Sequence, residues 1–132
     1  MWGIIGAMES EITLLRAQMQ HEQEIRYGNK VFYRGSIAGQ PTVLTQSGMG
    51  KVNAAMCAQI LIDRFGVTRL VNTGIAGGIA RGLHVGDIVI GNASLQHDFD
   101  FTPVGYVKAC MRGPDKSRPT VFVADAELVA QL

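Results

Sequence analysis

The chain opens with a short apolar run followed by a segment with helical spacing. The run from Trp2 to Ala7 predicts a buried strand that ends in a turn at Ala7 and Met8. A helix is expected to follow, because acidic residues stand in its first turn, where the helix dipole favours negative charge. This helix is expected to end near Gln20. Its apolar positions recur at helical spacing: Ile12, Leu15 and Met19.

The next segment alternates strands, turns and a second helix. A turn at residues 27–29 and a break at residues 39–41 bound one predicted strand, and residues 42–46 form the next. A clearer helix begins near Lys51, and Gly66 is expected to end it as the residue just past its last turn. The apolar positions of this helix form two neighbouring rows: Val52, Met56 and Ile60, and Cys57, Leu61 and Phe65.

Shorter signals fill the rest of the chain. In chain order they predict a strand at 69–72, a glycine-rich loop at 73–82, a strand at 86–90, an exposed loop at 107–119, a strand at 121–123 and the opening of a helix at 125–132.

This alternation of strands and helices predicts an α/β fold, with a central mixed β-sheet flanked by helices. At 132 residues the chain has room for one domain, residues 1–132, with a packed core. A helix that stops at Leu132 after about two turns has little stability of its own. We therefore expect the domain to be incomplete and the natural protein to continue beyond Leu132.

Composition narrows the function classes. Apolar residues make up 47% of the chain and charged residues 17%, and the formal net charge is +1, so nothing favours nucleic acid or a membrane as partner. No signal peptide or membrane-spanning run is present in the sequence. The two cysteines, Cys57 and Cys110, fit a reducing cytoplasm. Residues 97–100, His-Asp-Phe-Asp, lack further ligands at matching spacing, so no metal site is predicted. We expect a cytoplasmic protein with a small-molecule ligand.

The turn after the opening strand is the first candidate site, because open α/β sheets bind ligands beyond the carboxyl ends of their strands. Glu9 and Glu11 lie there. Taken alone, such carboxylates are more often dipole-stabilising surface residues than catalysts. Two positions apart, they leave the first helical turn in different directions, so at most one should face a ligand.

Two glycine-rich segments are further candidates. Residues 47–51, Ser-Gly-Met-Gly-Lys, fail as a phosphate loop because Thr45 and Val52 stand where it needs glycine and Ser or Thr. They also fail as a dinucleotide fingerprint, since Asn53 replaces its third glycine. A ligand turn and a structural turn fit equally well. Residues 72–78 either expose backbone groups to a flat heteroaromatic edge or simply connect two elements.

Five ordered segments carry a family resemblance: residues 3–11, 47–55, 72–78, 85–89 and His97-Asp98. Together they resemble the 5′-methylthioadenosine/S-adenosylhomocysteine nucleosidases, over a little more than the first half of a typical member. The resemblance implies the single α/β domain of the nucleoside phosphorylase superfamily, a homodimer and no cofactor. It also implies hydrolysis of the N-glycosidic bond of methylthioadenosine or S-adenosylhomocysteine, which yields adenine and a thioribose.

The resemblance further implies roles for individual residues. Glu11 matches the glutamate that positions and deprotonates the attacking water beside a cation-like sugar. Phe101 and Val104 match a segment that crosses the dimer interface and closes the partner's alkylthio pocket, so the active sites are expected to be shared. The other positions that match the substrate pocket are Met8, Met49, Ile75, Ala76 and Gly77.

Two departures from the family pattern bear on activity. Ile75 stands where well-known members carry a serine that helps orient the acidic machinery, and its side chain cannot donate a hydrogen bond. The aspartate that protonates adenine and the Met-Glu pair that holds the ribose hydroxyls belong to the family's second half. The 132-residue chain alone is therefore expected to be inactive.

Three alternative functions stay open. A phosphorolytic purine nucleoside phosphorylase is disfavoured, because Glu9 and Glu11 would repel phosphate. A futalosine hydrolase differs only in the base and the 5′ substituent. A non-catalytic fragment that binds a nucleoside is the third.

Overall fold

The first part of the chain is built around a five-stranded sheet. Its strands are β1 (Trp2–Gly6), β2 (Gln20–Tyr27), β3 (Lys30–Ile37), β4 (Gln40–Gln46) and β5 (Arg69–Thr73). In the computed structural model, which describes residues 1–111 and 115–132, they lie in the order β2-β3-β4-β1-β5. β1 pairs in parallel with β4 and β5, whereas β3 pairs antiparallel with β2 and β4. The predicted mixed sheet is confirmed.

Two helices cover this sheet, one on each face. They are α1 (Glu9–Ala17) and α2 (Lys51–Phe65), and both contact β1 and β4. Successive side chains of a strand point to opposite faces. A Cβ built on Gly3 would meet Leu61 of α2, whereas one built on Gly6 would lie 2.5 Å from Ile12 of α1. The flanking helices of the predicted fold are therefore present, and α1 packs too closely on β1 for a side chain at Gly6.

The core lies between α2 and the sheet. Of the two apolar rows predicted on α2, the row with Cys57 and Leu61 is buried, whereas Val52 of the other row is 82% exposed. The strand residues that face α2 alternate with those that face α1, as the strand period requires. The buried residues of this core are Ile5, Phe32, Val43, Cys57, Leu61 and Val67.

Strand β2 is absent from the sequence-based prediction. The predicted α1 continued to Gln20, but the helix ends at Ala17 and β2 begins at Gln20, with irregular pairing near His21 (φ 55°). β2 lies at the edge of the sheet beside β3, and its residues are mostly exposed. An exposed edge strand keeps polar side chains on both faces, so it lacks the apolar alternation that reveals other strands. The predicted α2, by contrast, is confirmed, including its end at Gly66 (φ 65°).

Contacts group the chain into a first unit, Met1–Gly77, and a second unit, Gly78–Leu132. A single domain over residues 1–132 stays a prediction. Of the predicted exposed loop at 107–119, residues 112–114 lie outside the described residues. Across the residues that the structure describes, no helix is long and apolar enough to cross a bilayer.

The second unit contains little regular structure. Two short strands, β6 (Ala93–Ser94) and β7 (Phe122–Val123), pair antiparallel, and α3 (Ala126–Gln131) begins where the Asp125 carboxylate accepts a hydrogen bond from the Leu128 N–H. The strand predicted at 86–90 is wrong. Within the described ranges no strand pairs with this run, and Ile88 is 92% exposed. Apolar composition favours a strand, but only a paired neighbour makes one.

Candidate active site

The carboxylate of Glu11 is held by three backbone N–H groups, an arrangement named here the Glu11 cradle. Oε2 accepts hydrogen bonds from the N–H groups of Ala7 at 2.7 Å and Met8 at 2.8 Å, and Oε1 accepts one from Ile75 at 3.1 Å. Ala7 and Met8 follow β1, whereas Ile75 lies just past β5, its parallel neighbour. The cradle therefore joins the carboxyl ends of two adjacent parallel strands, where α/β sheets bind ligands.

These hydrogen bonds favour the ionised form of Glu11. The Met8 N–H is the largest cause of a lowered pKa at Glu11, the Ile75 and Ala7 N–H groups act in the same direction, and desolvation opposes them. Each donor favours the charged form of the carboxyl. A carboxylate offers about four lone-pair directions. Oε2 already accepts two hydrogen bonds and Oε1 one, so the direction left for a water or ligand lies on Oε1.

Gly74 sets how closely the loop after β5 approaches Glu11. A Cβ built at Gly74 would lie 2.6 Å from Oε1 of Glu11, far inside van der Waals contact. Only glycine therefore lets the next residue, Ile75, bring its N–H to the carboxylate. The Ile75 side chain is 84% exposed, so this residue enters the cradle through its backbone alone.

The glycine-rich turn at residues 47–50 is tied to the same strand end. The Ser47 N–H donates to the Gly6 carbonyl at 2.8 Å, and Gly6 directly precedes the residues that bind the Glu11 carboxylate. Ser47 itself is buried, whereas the Met49 side chain is 76% exposed. The turn that carries Met49 and the cradle thus share the carboxyl end of β1.

Glu9, Ala76 and Gly77 are the remaining residues of the first unit considered in the sequence analysis, and none of them donates to Glu11 in the cradle. As predicted, Glu9 and Glu11 point in different directions: Glu9 is exposed and lines a cleft of about 390 Å³ with Arg16 and Tyr33. Ala76 and Gly77 are exposed in the loop that continues from Ile75. Their roles in binding a substrate stay predictions.

Phe101 and Val104 lie in the second unit. Phe101 stacks on Phe99 with 4.8 Å between ring centroids, and it remains 48% exposed. The Asp100 carboxylate accepts hydrogen bonds from the N–H and the hydroxyl of Thr102, which fixes the short 3-10 turn that ends at Val104. Val104 is 59% exposed. Both apolar side chains therefore belong to a segment held by local contacts, and both are exposed enough to contact another molecule.

Within residues 1–111 and 115–132, no group of three His, Cys, Asp or Glu side chains could hold a metal ion. Cys57 and Cys110 are both buried thiols outside any disulfide. Sequence reasoning missed the N–H groups of Ala7 and Ile75 and the role of Gly74, which lacks a side chain. These groups act through the backbone, and residue types do not reveal backbone contacts.

Comparison with known proteins identifies the family of this chain. The chain matches the family model of the phosphorylase superfamily over residues 2–132. The 5′-methylthioadenosine/S-adenosylhomocysteine nucleosidase of Aeromonas salmonicida is 42% identical over 97% of this chain and 54% of its own length. That of Listeria welshimeri is 45% identical over 96% of this chain and 53% of its own length. The chain therefore spans about half the length of these relatives.

A solved structure shows the same similarity. It is the crystal structure of the 5′-methylthioadenosine/S-adenosylhomocysteine nucleosidase from Neisseria meningitidis in complex with methylthio-immucillin-A. It matches with a TM-score of 0.89 at 41% identity, over 98% of this chain and 54% of the other.

We expect Gly74→Ala to release Glu11 from its cradle. The added methyl group would lie about 2.6 Å from Oε1, so the carboxylate must give up the Ile75 N–H, and the pKa of Glu11 should rise toward its ordinary value. A carboxyl NMR titration measures this pKa directly. Gly91→Ala is the matched control, because a Cβ there meets open space, and it should leave the titration unchanged.

The sign of the accompanying stability change follows from linkage. Because the pKa of Glu11 is lower in the folded chain, the cradle stabilises the fold above the unfolded-state pKa and loses this contribution as the pH falls through the folded-state pKa. The difference in free energy of unfolding between the unaltered chain and Gly74→Ala should therefore shrink on acidification. A difference that grows with acid would contradict the cradle.

Proposed function

Because the chain belongs to the phosphorylase superfamily, we propose that it is the amino-terminal part of a hydrolase that cleaves the N-glycosidic bond of 5′-methylthioadenosine and S-adenosylhomocysteine. The products are adenine and the corresponding thioribose. The observation that carries the proposal is the ionised Glu11 carboxylate at the carboxyl ends of β1 and β5. The substrate class is supported by the names of the relatives and by the nucleoside analogue bound in the Neisseria structure.

In the proposed reaction Glu11 positions the attacking water and accepts its proton. The electrons of the glycosidic bond move to adenine, which takes up a proton from the general acid expected in the remaining length. The sugar carbon becomes cation-like, and the water oxygen bonds to that carbon as Glu11 takes the proton of the water. The charge of Glu11 also stabilises the developing cation. A lowered pKa makes Glu11 a weak base. That suits a cleavage in which the cationic sugar, rather than a strong nucleophile, drives the addition of water.

The substrate is expected to lie along the turns that meet at the end of β1. Met49 offers an exposed apolar side chain on the turn that is bonded to the end of β1, and Met8 contributes its backbone N–H to the cradle. In this proposal Met8 and Met49 line the ribose and alkylthio part of the pocket. Ala76 and Gly77 then lie beside the nucleoside, where their small side chains leave the backbone accessible.

Hydrolysis fits the cradle better than phosphorolysis does. Successive backbone N–H groups at a strand end can form an anion site. Here those of Ala7, Met8 and Ile75 are already taken by Glu11. A phosphate would meet a fixed negative charge and find these donors occupied. Water, which is neutral, meets neither obstacle.

We also propose a homodimer with active sites shared between subunits. Phe101 and Val104 are apolar, exposed and fixed in conformation by their neighbours, as a surface that closes a partner's pocket requires. Water is the only co-substrate of the proposed reaction, and the family resemblance implies that no cofactor takes part. A cytoplasmic location suits the two reduced cysteines, and a net charge of +1 gives no reason to expect a nucleic-acid or membrane partner.

Adenine release tests the proposed function. We define the fusion protein as residues 1–132 followed by the part of the Aeromonas relative that this chain does not match. Residues 1–132 alone should release no adenine from methylthioadenosine, because a positioned general acid typically supplies about 10²–10⁴-fold in rate and is expected from the remaining length. The fusion protein should release adenine at a rate that does not depend on phosphate.

The outcomes of this assay separate the alternatives. A rate that rises with phosphate would assign phosphorolysis, and faster cleavage of futalosine than of methylthioadenosine would assign the futalosine hydrolases. Calorimetric binding without adenine release by the fusion protein would support a binding protein. Turnover by residues 1–132 alone would show that the general acid lies within them.

Glu11→Gln in the fusion protein should lower kcat by about 100-fold or more and leave KM within a few-fold. The amide keeps the shape of the side chain but cannot take the proton of the water. Glu9→Gln is the matched control, since Glu9 is exposed and outside the cradle, and it should change kcat little. Near-normal turnover by Glu11→Gln would show that Glu11 is not the base that accepts the proton of the water.

Mixed dimers test whether the sites are shared. A Glu11→Gln subunit paired with a Phe101→Asp subunit should regain one working site, formed by the intact Glu11 of one chain and the intact Phe101 of the other. As a control, a subunit with both changes is paired with an unaltered subunit. Shared sites leave this heterodimer inactive, whereas sites within single subunits leave it half active.

A further inference from the structure

Two polar side chains, those of Lys30 and Asn53, form hydrogen bonds to the backbone of the turn at residues 47–50. Lys30, the first residue of β3, donates from Nζ to the Ser47 carbonyl at 2.5 Å and to Oδ1 of Asn53 at 3.0 Å. Asn53, in the first turn of α2, donates from Nδ2 to the Met49 carbonyl at 2.8 Å. Lys30 and Asn53 therefore form one hydrogen-bonded unit, named here the Lys30–Asn53 clamp.

The two other carbonyls of this turn are also engaged. The Gly48 carbonyl accepts from the Ser47 hydroxyl at 2.8 Å, and the Gly50 carbonyl accepts from the Ala54 N–H at 3.1 Å. Every carbonyl from residue 47 to residue 50 is thus bonded to the protein. The turn presents the Met49 side chain outward while its backbone is fixed from within.

The turn has little restraint of its own, and α2 begins directly after it without the usual side-chain cap. Its N-cap residue is Gly50 (φ 98°), which has no side chain to accept a hydrogen bond from the first helical turn. Glycine at positions 48 and 50 also allows the backbone many conformations. Hydrogen bonds from a charged donor are roughly twice as strong as neutral ones. Lys30 is thus suited to restrain a turn whose own residues do little to restrain it.

We propose that Lys30 and Asn53 are positioning residues for nucleoside binding. They hold the turn at residues 47–50 so that Met49 faces the ligand beside the Glu11 cradle. The link to the cradle is the Ser47 N–H, which donates to the carbonyl of Gly6 at the end of β1. The inference rests on the proposed function, since it requires that a nucleoside occupies this edge of the sheet. Neither Lys30 nor Asn53 needs to touch the substrate.

A clamp of this kind acts on binding rather than on the chemical step. Lys30→Met in the fusion protein should raise KM for methylthioadenosine about tenfold and leave kcat within about twofold, because Met49 contacts substrate and transition state alike. Arg34→Met is the matched control: it removes a positive charge from an exposed position of the same strand, and it should leave KM unchanged. Asn53→Asp keeps an acceptor for Lys30 but loses the donor to Met49, so its KM should rise less than that of Asn53→Ala.

Amide hydrogen exchange in the unfused 132-residue chain supplies a readout that does not depend on activity. The amides of Ser47 and Ala54 are bonded to Gly6 and Gly50. They should exchange faster in Lys30→Met and at the normal rate in Arg34→Met. Should Lys30→Met fail to fold, Asn53→Asp and Asn53→Ala give the same comparison.

Each result decides the proposal. Faster exchange together with a raised KM supports it. Unchanged amide exchange would show that the clamp does not restrain the turn. Faster exchange with an unchanged KM, or with a decrease in kcat alone, would show that the clamp does not act on nucleoside binding. If the unaltered fusion protein neither binds methylthioadenosine nor releases adenine, the proposed function fails, and the positioning role fails with it even where exchange shows that the clamp exists.

Discussion

One carboxylate bridging two strand ends is the interaction on which this site depends. β1 and β5 lie side by side in parallel, with Gly6 opposite Thr73, so the loops that follow them leave the sheet at the same level. Glu11 returns from α1 into the space between these loops and accepts an N–H from each side. The same three hydrogen bonds join the first helix to the sheet, keep the carboxyl ionised and fix the direction of its open lone pair. The Glu11 carboxylate therefore serves the fold and the proposed chemistry at once.

The cradle uses backbone donors, and this explains why the residue at position 75 can be an isoleucine. A side-chain hydroxyl at that position would add a donor, but the contact with Glu11 comes from the peptide N–H, which every residue except proline supplies. The stricter requirement falls on Gly74, where any side chain would meet the carboxylate. The strictest demand on sequence in this loop thus falls on Gly74, one residue before Ile75.

Prediction from the sequence succeeded for elements whose residue types reflect whether they are buried or exposed. The apolar strand β1, the two-row helix α2 and the position of Glu11 at a strand end could all be predicted, because burial and charge leave a pattern in residue types. β2 could not, since an exposed edge strand is held by its backbone and keeps polar side chains. The strand predicted at 86–90 failed for the opposite reason: its apolar residues match a strand, but pairing depends on a neighbour that the pattern does not name. The hydrogen bonds of Lys30, 17 residues from Ser47 and 23 from Asn53, join positions that only the folded sheet brings together.

The geometry of glycosidic hydrolysis explains why this part of the chain would hold only one side of the proposed chemistry. When water displaces a leaving group with inversion, the base acts on one face of the sugar and the acid on the other, and paired carboxyl groups in such glycosidases stand about 6.5–9.5 Å apart. The cradle fills the space between the ends of β1 and β5 with a single carboxylate whose N–H donors hold it charged. A proton donor for adenine needs the opposite environment, one that raises its pKa rather than lowers it. Two groups with such opposed requirements need separate surroundings, and a cradle built to keep a carboxylate charged can serve only the water.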